Sequence, residues 1–160
     1  MCGLAGCWSH DISKDPRVAT VAAMCRAITP RGPDDEGIWS DSEPGVVLGF
    51  RRLAIIDVSP AGHQPMASAT GRYVVKFNGE IYNFAALRAE FGDDVTWRGH
   101  SDTEVLLAAI ERWGLRAAIE RCSGMFAIAL WDRQEHELHL VRDRLGEKPM
   151  YYGAFGDTLL

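Results

Sequence analysis

The order of the predicted secondary-structure elements is the feature that most constrains the fold of this chain. Strand-like runs come first, helical patterns occupy the middle, and strand-like runs return near the end. An apolar strand is expected from Cys2 to Trp8, and a hairpin from Met125–Trp131 to Glu137–Val141. This is not the regular strand–helix alternation that builds a parallel doubly wound sheet. The order therefore predicts an α+β fold with largely antiparallel sheets.

Alternating apolar residues predict further strands, and capping residues predict the helices. The further strands are expected at Gly37–Ser40, Val46–Phe50, Tyr73–Phe77 and Met150–Gly153. The third of these meets Asn78-Gly79, a dipeptide typical of tight turns. Helices are expected to begin at Asp15, where a proline follows, and after Asn83. Another begins at Ser101, which stands three residues before Glu104 in the spacing of a capping box. The segment 59–70 is expected to be a loop.

Composition excludes several classes of protein. The 160 residues suit a single domain, at the usual ~100–200 residues per domain. Lys and Arg number 17 against 22 Asp and Glu, and the resulting charge of −5 argues against nucleic-acid binding. No apolar run approaches the ~18 residues of a membrane span. The first eleven residues lack a basic segment followed by an apolar stretch, so a secretory signal is not expected. The four cysteines are therefore expected to be reduced thiols in a cytoplasmic protein.

Motif searches predict neither a metal nor a cofactor site. The chain lacks the phosphate-binding, dinucleotide-binding and nucleophile-elbow glycine motifs. His136 and His139 would point to opposite faces of a strand, which is unsuitable for a joint zinc site. Cys7, Cys25 and Cys122 have no ligand spacing and are interpreted as core residues.

Cys2 is the most informative single residue. It becomes the first residue if Met1 is removed, and a small side chain at position 2 generally permits that removal. A terminal cysteine combines a nucleophilic thiol with an α-amine whose pKa lies near ~7.7–8. That amine can act as the base for its own side chain, as in enzymes with a terminal threonine. The alternative is a small buried cysteine in a strand.

The segment that begins at Asn78 offers groups that could stabilise an oxyanion. Asn78 supplies a side-chain N–H, and Gly79 allows a backbone N–H to approach a ligand closely. Two such donors aimed at one point make an oxyanion hole. The alternative is an ordinary turn after a strand.

Arg52 and Asp102 together would suit a free amino acid. A guanidinium binds a carboxylate with two hydrogen bonds, and a carboxylate binds an ammonium group. The alternatives are a surface arginine on an edge strand and an acidic residue in the first turn of a helix, where it is favourable with the helix dipole.

Seven motifs in order along the chain carry a family resemblance. They are Met1–Gly6, Arg31–Asp34, Arg52–Asp57, Asn78–Asn83, Ser101–Glu104, Gly124–Ala127 and Arg142 to Gly153. The chain resembles the glutaminase domain of glutamine-hydrolysing asparagine synthetases from Met1 to about Gly153. That domain is a class II glutamine amidotransferase of the N-terminal-nucleophile hydrolase superfamily.

The resemblance implies a fold and a set of roles. The fold would be a four-layer αββα sandwich with two antiparallel sheets between helices. Cys2 would be the nucleophile, with the Asn78 side chain and the Gly79 N–H forming the oxyanion hole. Arg52 would bind the α-carboxylate of glutamine. Asp102 and Glu80 would bind its amino group. Arg51 takes no role, and the segment 31–34 would lie beside the nucleophile.

The implied reaction is hydrolysis of glutamine to glutamate and ammonia through a Cys2 thioester, with no cofactor. The ammonia would serve a covalently linked synthetase domain, and ATP and magnesium would bind in that domain. The synthetase domain is expected to be absent from residues 1–160. Two alternatives stay open: a related enzyme with a sugar, peptide or secondary-metabolite acceptor, and a non-catalytic regulatory module. A homodimer is a further possible assembly, through apolar surface that a partner domain would otherwise cover.

Overall fold

The structure, a computed structural model, describes residues 1–9, 14–41 and 45–160, and the side chains of all of these except 14–16. The elements in chain order are β1 (Gly3–Ser9), α1 (Lys14–Ala27), β2 (Asp35–Asp41), β3 (Val46–Arg52), β4 (Met66–Ala67), β5 (Tyr73–Ile81), α2 (Phe84–Ala89), α3 (Asp102–Trp113), α4 (Leu115–Arg121), β6 (Gly124–Asp132), β7 (Glu137–Arg142), β8 (Ala154–Phe155) and β9 (Thr158–Leu159). In the described ranges, no helix combines the length and the apolarity needed to cross a membrane.

The strands form two antiparallel sheets. The first has the order β2-β3-β1-β9-β8, and the second has the order β4-β5-β6-β7. In the first sheet Leu4 lies opposite Phe50, and in the second Phe77 lies opposite Ile128. The prediction of an α+β fold with antiparallel sheets is confirmed.

Helices cover the outer face of each sheet. The helix α1 packs on the first sheet through a small buried cluster: Ala5, Cys7, Val21, Cys25 and Val47. The helices α2 to α4 pack on the second sheet through a larger cluster that includes Phe77, Ile81, Leu106 and Ile110. Between the sheets lies a third cluster, formed by Val46, Leu48, Val74 and Trp131. These layers confirm the αββα sandwich.

Asn78 and Gly79 lie inside a strand, so the turn predicted at this dipeptide is wrong. Asn78 pairs with Ala127 and Gly79 with Phe126, and the ladder continues to Ile81 and Gly124. Nine residues of pairing with β6 outweigh the local preference of the dipeptide for a turn. The two residues are therefore neighbours on β5, and their positions are fixed by the pairing with β6.

The strand predicted at Met150–Gly153 is also wrong. The closing strands are β8 and β9, which form a two-residue hairpin by pairing Ala154 with Leu159. Gly153 exchanges backbone hydrogen bonds with Leu160, so the hairpin begins where the predicted strand ends. Tyr151 and Tyr152 lie outside the strands and are exposed.

The predicted starts of α2 and α3 are correct in position but only partly in chemistry, whereas α1 begins at Lys14, one residue before the predicted start. Ser101 caps α3, with its Oγ accepting the Glu104 N–H at 3.2 Å. The Glu104 carboxylate does not complete a capping box, because it accepts the Gly99 N–H at 3.0 Å. Asn83 precedes α2 without capping it, and its amide bonds the backbone of Arg121 and Ser123. The side chain of Asp15, predicted to begin the first helix, lies outside the described part.

Candidate active site

A cavity of about 130 Å³ lies where the start of β1, the end of β3, the second half of β5 and the start of α3 meet. The residue before β1 and residues of the other three elements, all singled out from the sequence, line this cavity. All six predicted site residues line it: Cys2, Arg52, Asn78, Gly79, Glu80 and Asp102. Groups that lie as far apart in sequence as residues 2 and 102 are thus collected in one place.

Cys2 stands directly before β1 and is half-buried. Its Sγ accepts the Leu53 N–H at 3.4 Å and lies 3.6 Å from the Leu53 carbonyl oxygen. Burial raises the pKa of the thiol above its ordinary value, and the bond from Leu53 and the positive charges of the chain terminus and Arg52 only partly oppose it. Because the thiolate is the nucleophilic form, this cysteine needs a nearby base.

Met1 occupies part of the cavity. Its side chain is among the lining groups, and its Sδ accepts a hydrogen bond of 3.2 Å from Lys148 Nζ. With Met1 in place the α-amine belongs to residue 1. Hydrolysis of the Met1–Cys2 peptide bond would free the α-amine of Cys2 itself, on the same residue as the thiol.

The segment 31–34 lies beside Cys2, as expected. Arg31 Nε donates to the Cys2 carbonyl oxygen at 3.2 Å. Asp34 accepts the Ala54 N–H at 2.9 Å, and its own N–H donates to the Arg52 carbonyl at 3.0 Å. The segment therefore joins the start of β1 to the end of β3.

The N–H of Gly79 points into the cavity. Its ladder partner Phe126 turns both backbone groups away, to Asp143, so Gly79 and Phe126 form a non-hydrogen-bonded pair. On either side of Gly79, the Phe77 N–H donates to Gln64 Oε1 at 2.7 Å and the Ile81 N–H donates to Asp102 Oδ2 at 3.0 Å. Gly79 lies between them with the same orientation, at the edge that forms the cavity wall.

Asn78 and Gly79 meet different steric demands. Asn78 is 5% exposed and shares a face of β5 with Val74, toward the first sheet and Cys2. A Cβ atom on Gly79 would lie 2.2 Å from the Met125 carbonyl oxygen, so only glycine fits there. The two residues thus offer a side-chain N–H and a backbone N–H to one cavity.

Arg52 is buried, and its guanidinium is held at the cavity wall. Its two terminal nitrogens donate to the carbonyls of Ser59, at 2.9 Å, and Asp57. A Cβ on Gly62 would lie 2.0 Å from Nη2, so the glycine makes room for the group. Three of the five N–H donors of an arginine are left for a ligand. Arg51 instead bonds Gly32 and Glu36, away from the cavity.

Asp102 is the first residue of α3 and is 5% exposed. Burial raises the pKa of its carboxyl group to about 6, against hydrogen bonds from Ile81 and Thr103 that lower it. The neighbouring carboxylate of Glu80 raises it further. A cation bound between the two would reverse this balance and favour the charged form.

The sequence analysis missed two residues that line the cavity. Gln64, in the segment predicted to be a loop, pairs its side-chain amide with the backbone of Phe77 and with Thr103. The Gln64 side chain bonds the backbone of β5 as a neighbouring strand would. This role depends on contacts with residues distant in sequence, so no local sequence pattern indicates it. Lys148 is buried at the cavity wall, and no pattern around it predicts that position. Among the described residues, no group of His, Cys, Asp and Glu is placed to hold a metal ion.

Comparisons with known proteins agree on one family. A family model described as a glutamine amidotransferase domain matches residues 1–160. Asparagine synthetase 1 of Bacillus subtilis is 39% identical over 99% of this chain and 25% of its own length. Asparagine synthetase B of Escherichia coli is 38% identical over 96% of the chain and 27% of its own length. A protein of Gibberella zeae named amidase chry2 is 38% identical over 83% of the chain and 20% of its own length. The chain spans about a quarter of the length of these curated relatives.

Proposed function

This chain belongs to the glutamine amidotransferase domain family, and from that premise we propose that it hydrolyses the side-chain amide of glutamine, giving glutamate and ammonia. The observation that carries the proposal is the content of one cavity. It holds a half-buried thiol at residue 2, a backbone N–H aimed inward, a buried amide, a buried guanidinium and two neighbouring carboxylates. This set matches the charges and the reacting group of glutamine.

The free amino acid would be held by its charged end. Arg52 would bind the α-carboxylate with the donors that its two backbone contacts leave free. Asp102 and Glu80 would bind the α-ammonium group, whose charge favours ionised carboxylates. The side chain of glutamine would then extend across the cavity toward Cys2. A substrate without either charged group would lose this anchoring.

The reaction would proceed by covalent catalysis on Cys2. The α-amine of Cys2, exposed by removal of Met1, takes the thiol proton through a water molecule. The thiolate forms a bond to the amide carbon, and the negative charge that develops on the oxygen is stabilised by Asn78 and Gly79. Ammonia leaves with the proton, and a γ-glutamyl thioester remains. Water then breaks the C–S bond and releases glutamate. The step uses no metal or cofactor.

The ammonia would be used outside this chain. We propose an acceptor domain of the asparagine-synthetase type in a longer protein, with ATP and magnesium bound there, because two of the relatives above carry that name. The relative named an amidase keeps another acceptor as the alternative.

All four thiols are free, which suits a reducing compartment, and we propose that the protein is cytoplasmic.

The test is the intact mass of the purified protein after exposure to a diazo-ketone analogue of glutamine. We expect a chain that lacks Met1 and carries one adduct. Cys2→Ala should abolish the adduct, whereas Cys7→Ala, which removes a buried thiol on the same strand, should keep it. A chain that has lost Met1 and takes up no adduct would contradict the proposal and favour a non-catalytic module.

A further inference from the structure

Lys76 is a buried cation that the proposed reaction does not use. It lies on β5 and is 4% exposed. Its Nζ donates to the Ala5 carbonyl of β1 at 2.5 Å. The titratable groups that act on it are the thiols of Cys7 and Cys25, and no carboxylate of the described residues forms an ion pair with it. Burial lowers the pKa of its amine to about 8.

This contact joins the two strands that carry the reacting groups. Along β1, Ala5 is three residues from Cys2, and along β5, Lys76 is two residues from Asn78. β1 and β5 belong to different sheets, so no backbone ladder sets the distance between them. The hydrogen bond of Lys76 therefore crosses from one sheet to the other.

The fold makes room for this side chain at a specific place. A Cβ on Gly6 would lie 2.8 Å from Lys76 Nζ, so the ammonium occupies space that any other residue at position 6 would fill. The surroundings are otherwise apolar, since Leu4, Leu48 and Ala129 line the small cavity on this side of Lys76. An unpaired charge in such a place is unfavourable for stability. A hydrophobic side chain would serve the core better.

We propose that Lys76 is a positioning residue, which sets the distance between the Cys2 nucleophile and the oxyanion donors of β5 by hydrogen bonding to Ala5. The inference rests on the proposed glutaminase reaction and adds a residue to it. Small errors in the placement of reacting groups lower the rate strongly, because the geometry of attack is lost. Lys76 therefore affects the chemical step and leaves the binding of glutamine, at Arg52 and Asp102, unchanged.

The test compares Lys76→Met with Leu48→Met in the protein after removal of Met1. Both variants place a methionine in the layer between the sheets, and only the first removes the hydrogen bond. We expect Lys76→Met to lower kcat for glutamine hydrolysis 10- to 100-fold with KM within about twofold. Its resistance to urea should be equal to or greater than that of the wild type. The rate of Cys2 alkylation by iodoacetamide, which needs no oxyanion hole, should change less than about twofold.

Gly6→Ala is unsuitable as a second variant, because its Cβ would also lie 2.9 Å from the Val47 carbonyl oxygen of β3, a contact that removal of Lys76 would not relieve. A kcat for Lys76→Met equal to that of Leu48→Met overturns the inference alone. The inference is also overturned if kcat falls, KM rises and the free energy of unfolding falls together, because a merely structural residue would produce that result. A wild-type protein that is neither active nor labelled overturns the proposed function and this inference together.

Discussion

At the scale of single residues, the site depends on which backbone groups of β5 are already bonded. Phe77 and Ile81 direct their N–H groups to the cavity edge, where Gln64 and Asp102 accept them. Gly79 between them has the same orientation. The side chains that satisfy its neighbours thus isolate one backbone donor for a ligand, beside the amide of Asn78.

Asn78→Ala should lower kcat for glutamine hydrolysis by about 10²–10³, a loss of roughly 2.7–4 kcal/mol of transition-state stabilisation. KM should change only a few-fold, because the donor acts on charge that develops during the reaction. Steady-state kinetics on the processed protein measure both values. Gly79→Ala is unsuitable for this purpose, since its Cβ would collide with Met125. An Asn78→Ala protein with unchanged kcat would remove Asn78 from the oxyanion hole.

Glutamine binding should depend on the ionisation of Asp102. Its pKa is raised to about 6 in the free protein, and only the carboxylate can bind an ammonium group. As pH falls below 6, the fraction ionised decreases about tenfold per pH unit. The dissociation constant of glutamine for Cys2→Ala protein should therefore rise with falling pH, beginning near pH 6. Calorimetric titrations from pH 5 to pH 8 measure this without interference from turnover.

Asp102→Asn is the matched variant for this experiment. It should bind glutamine at least tenfold more weakly at pH 7 and show no pH dependence between pH 5 and pH 7. An affinity of the Cys2→Ala protein that stays constant down to pH 5 would place the substrate ammonium elsewhere.

The six residues predicted for the site meet at one cavity, and the sequence could single them out because they stand in motifs that occur in order along the chain. Gln64 and Lys148 could not be predicted, since each reaches the cavity through contacts with residues far along the chain. The direction of the Gly79 N–H was also beyond the sequence. That direction depends on which residues of β5 form hydrogen-bonded pairs with β6. The sequence predicted a turn at Asn78-Gly79, so it gave no indication of this pairing.

At the scale of elements, buried carboxylates tie loops to the sheets. The Asp143 carboxylate accepts the N–H groups of Phe126, at 3.2 Å, Glu147, at 2.8 Å, and Lys148, at 2.9 Å. It thereby holds the loop that follows β7 against β6, next to Gly79. Glu104 ties the segment before α3 to that helix by accepting the N–H groups of Arg98 and Gly99, which explains why the predicted capping box is only half formed.

Asp143→Asn should lower the free energy of unfolding by about 1–3 kcal/mol, because an amide replaces an acceptor of several backbone N–H groups. Burial alone would raise the pKa of this carboxyl group, but the bonds from Lys148, Glu147 and Phe126 lower it overall. A lowered pKa stabilises the fold above the unfolded value of 3.8, and this stabilisation is lost as pH falls through the folded value. The difference between variant and wild type should therefore shrink in acid.

Urea titrations at pH 7 and pH 3 measure this difference. Asp93→Asn, a change of the same kind at an exposed position, is the control and should stay within about 0.5 kcal/mol of the wild type. An Asp143→Asn protein as stable as the control would show that the loop does not need its carboxylate.

At the scale of the whole molecule, the two sheets share no backbone ladder among the described strands and meet through packed side chains and the bond of Lys76 to the Ala5 carbonyl. The layer between them is apolar at Val46, Leu48, Val74 and Trp131, and it also contains the ammonium of Lys76. The order of strands and helices was enough to predict antiparallel sheets. The order of elements could not reveal a charged residue in this layer. A lysine at position 76 is also what the sequence of a strand with one solvent-facing side would show.

The stability of the molecule should therefore rise with pH in a way that depends on Lys76. The pKa of its amine is about 8 in the folded protein, against 10.5 for a lysine in an unfolded chain. Between these values the unfolded chain binds more protons, so the free energy of unfolding increases with pH. The Cys7 and Cys25 thiols, whose pKa values burial raises, act in the opposite direction above pH 9. Both thiols are present in Lys76→Met, so comparison with that variant isolates the lysine.

We expect the stability advantage of Lys76→Met over the wild type to be largest at pH 7 and to fall by roughly 2–3 kcal/mol by pH 10. Urea titrations of both proteins at pH 7, 8.5 and 10, under reducing conditions, measure the difference. Leu48→Met should show no comparable trend against the wild type. A Lys76→Met advantage that is independent of pH would mean that the pKa of the amine in the folded protein equals the unfolded value of 10.5, so that the layer between the sheets does not disfavour the charge.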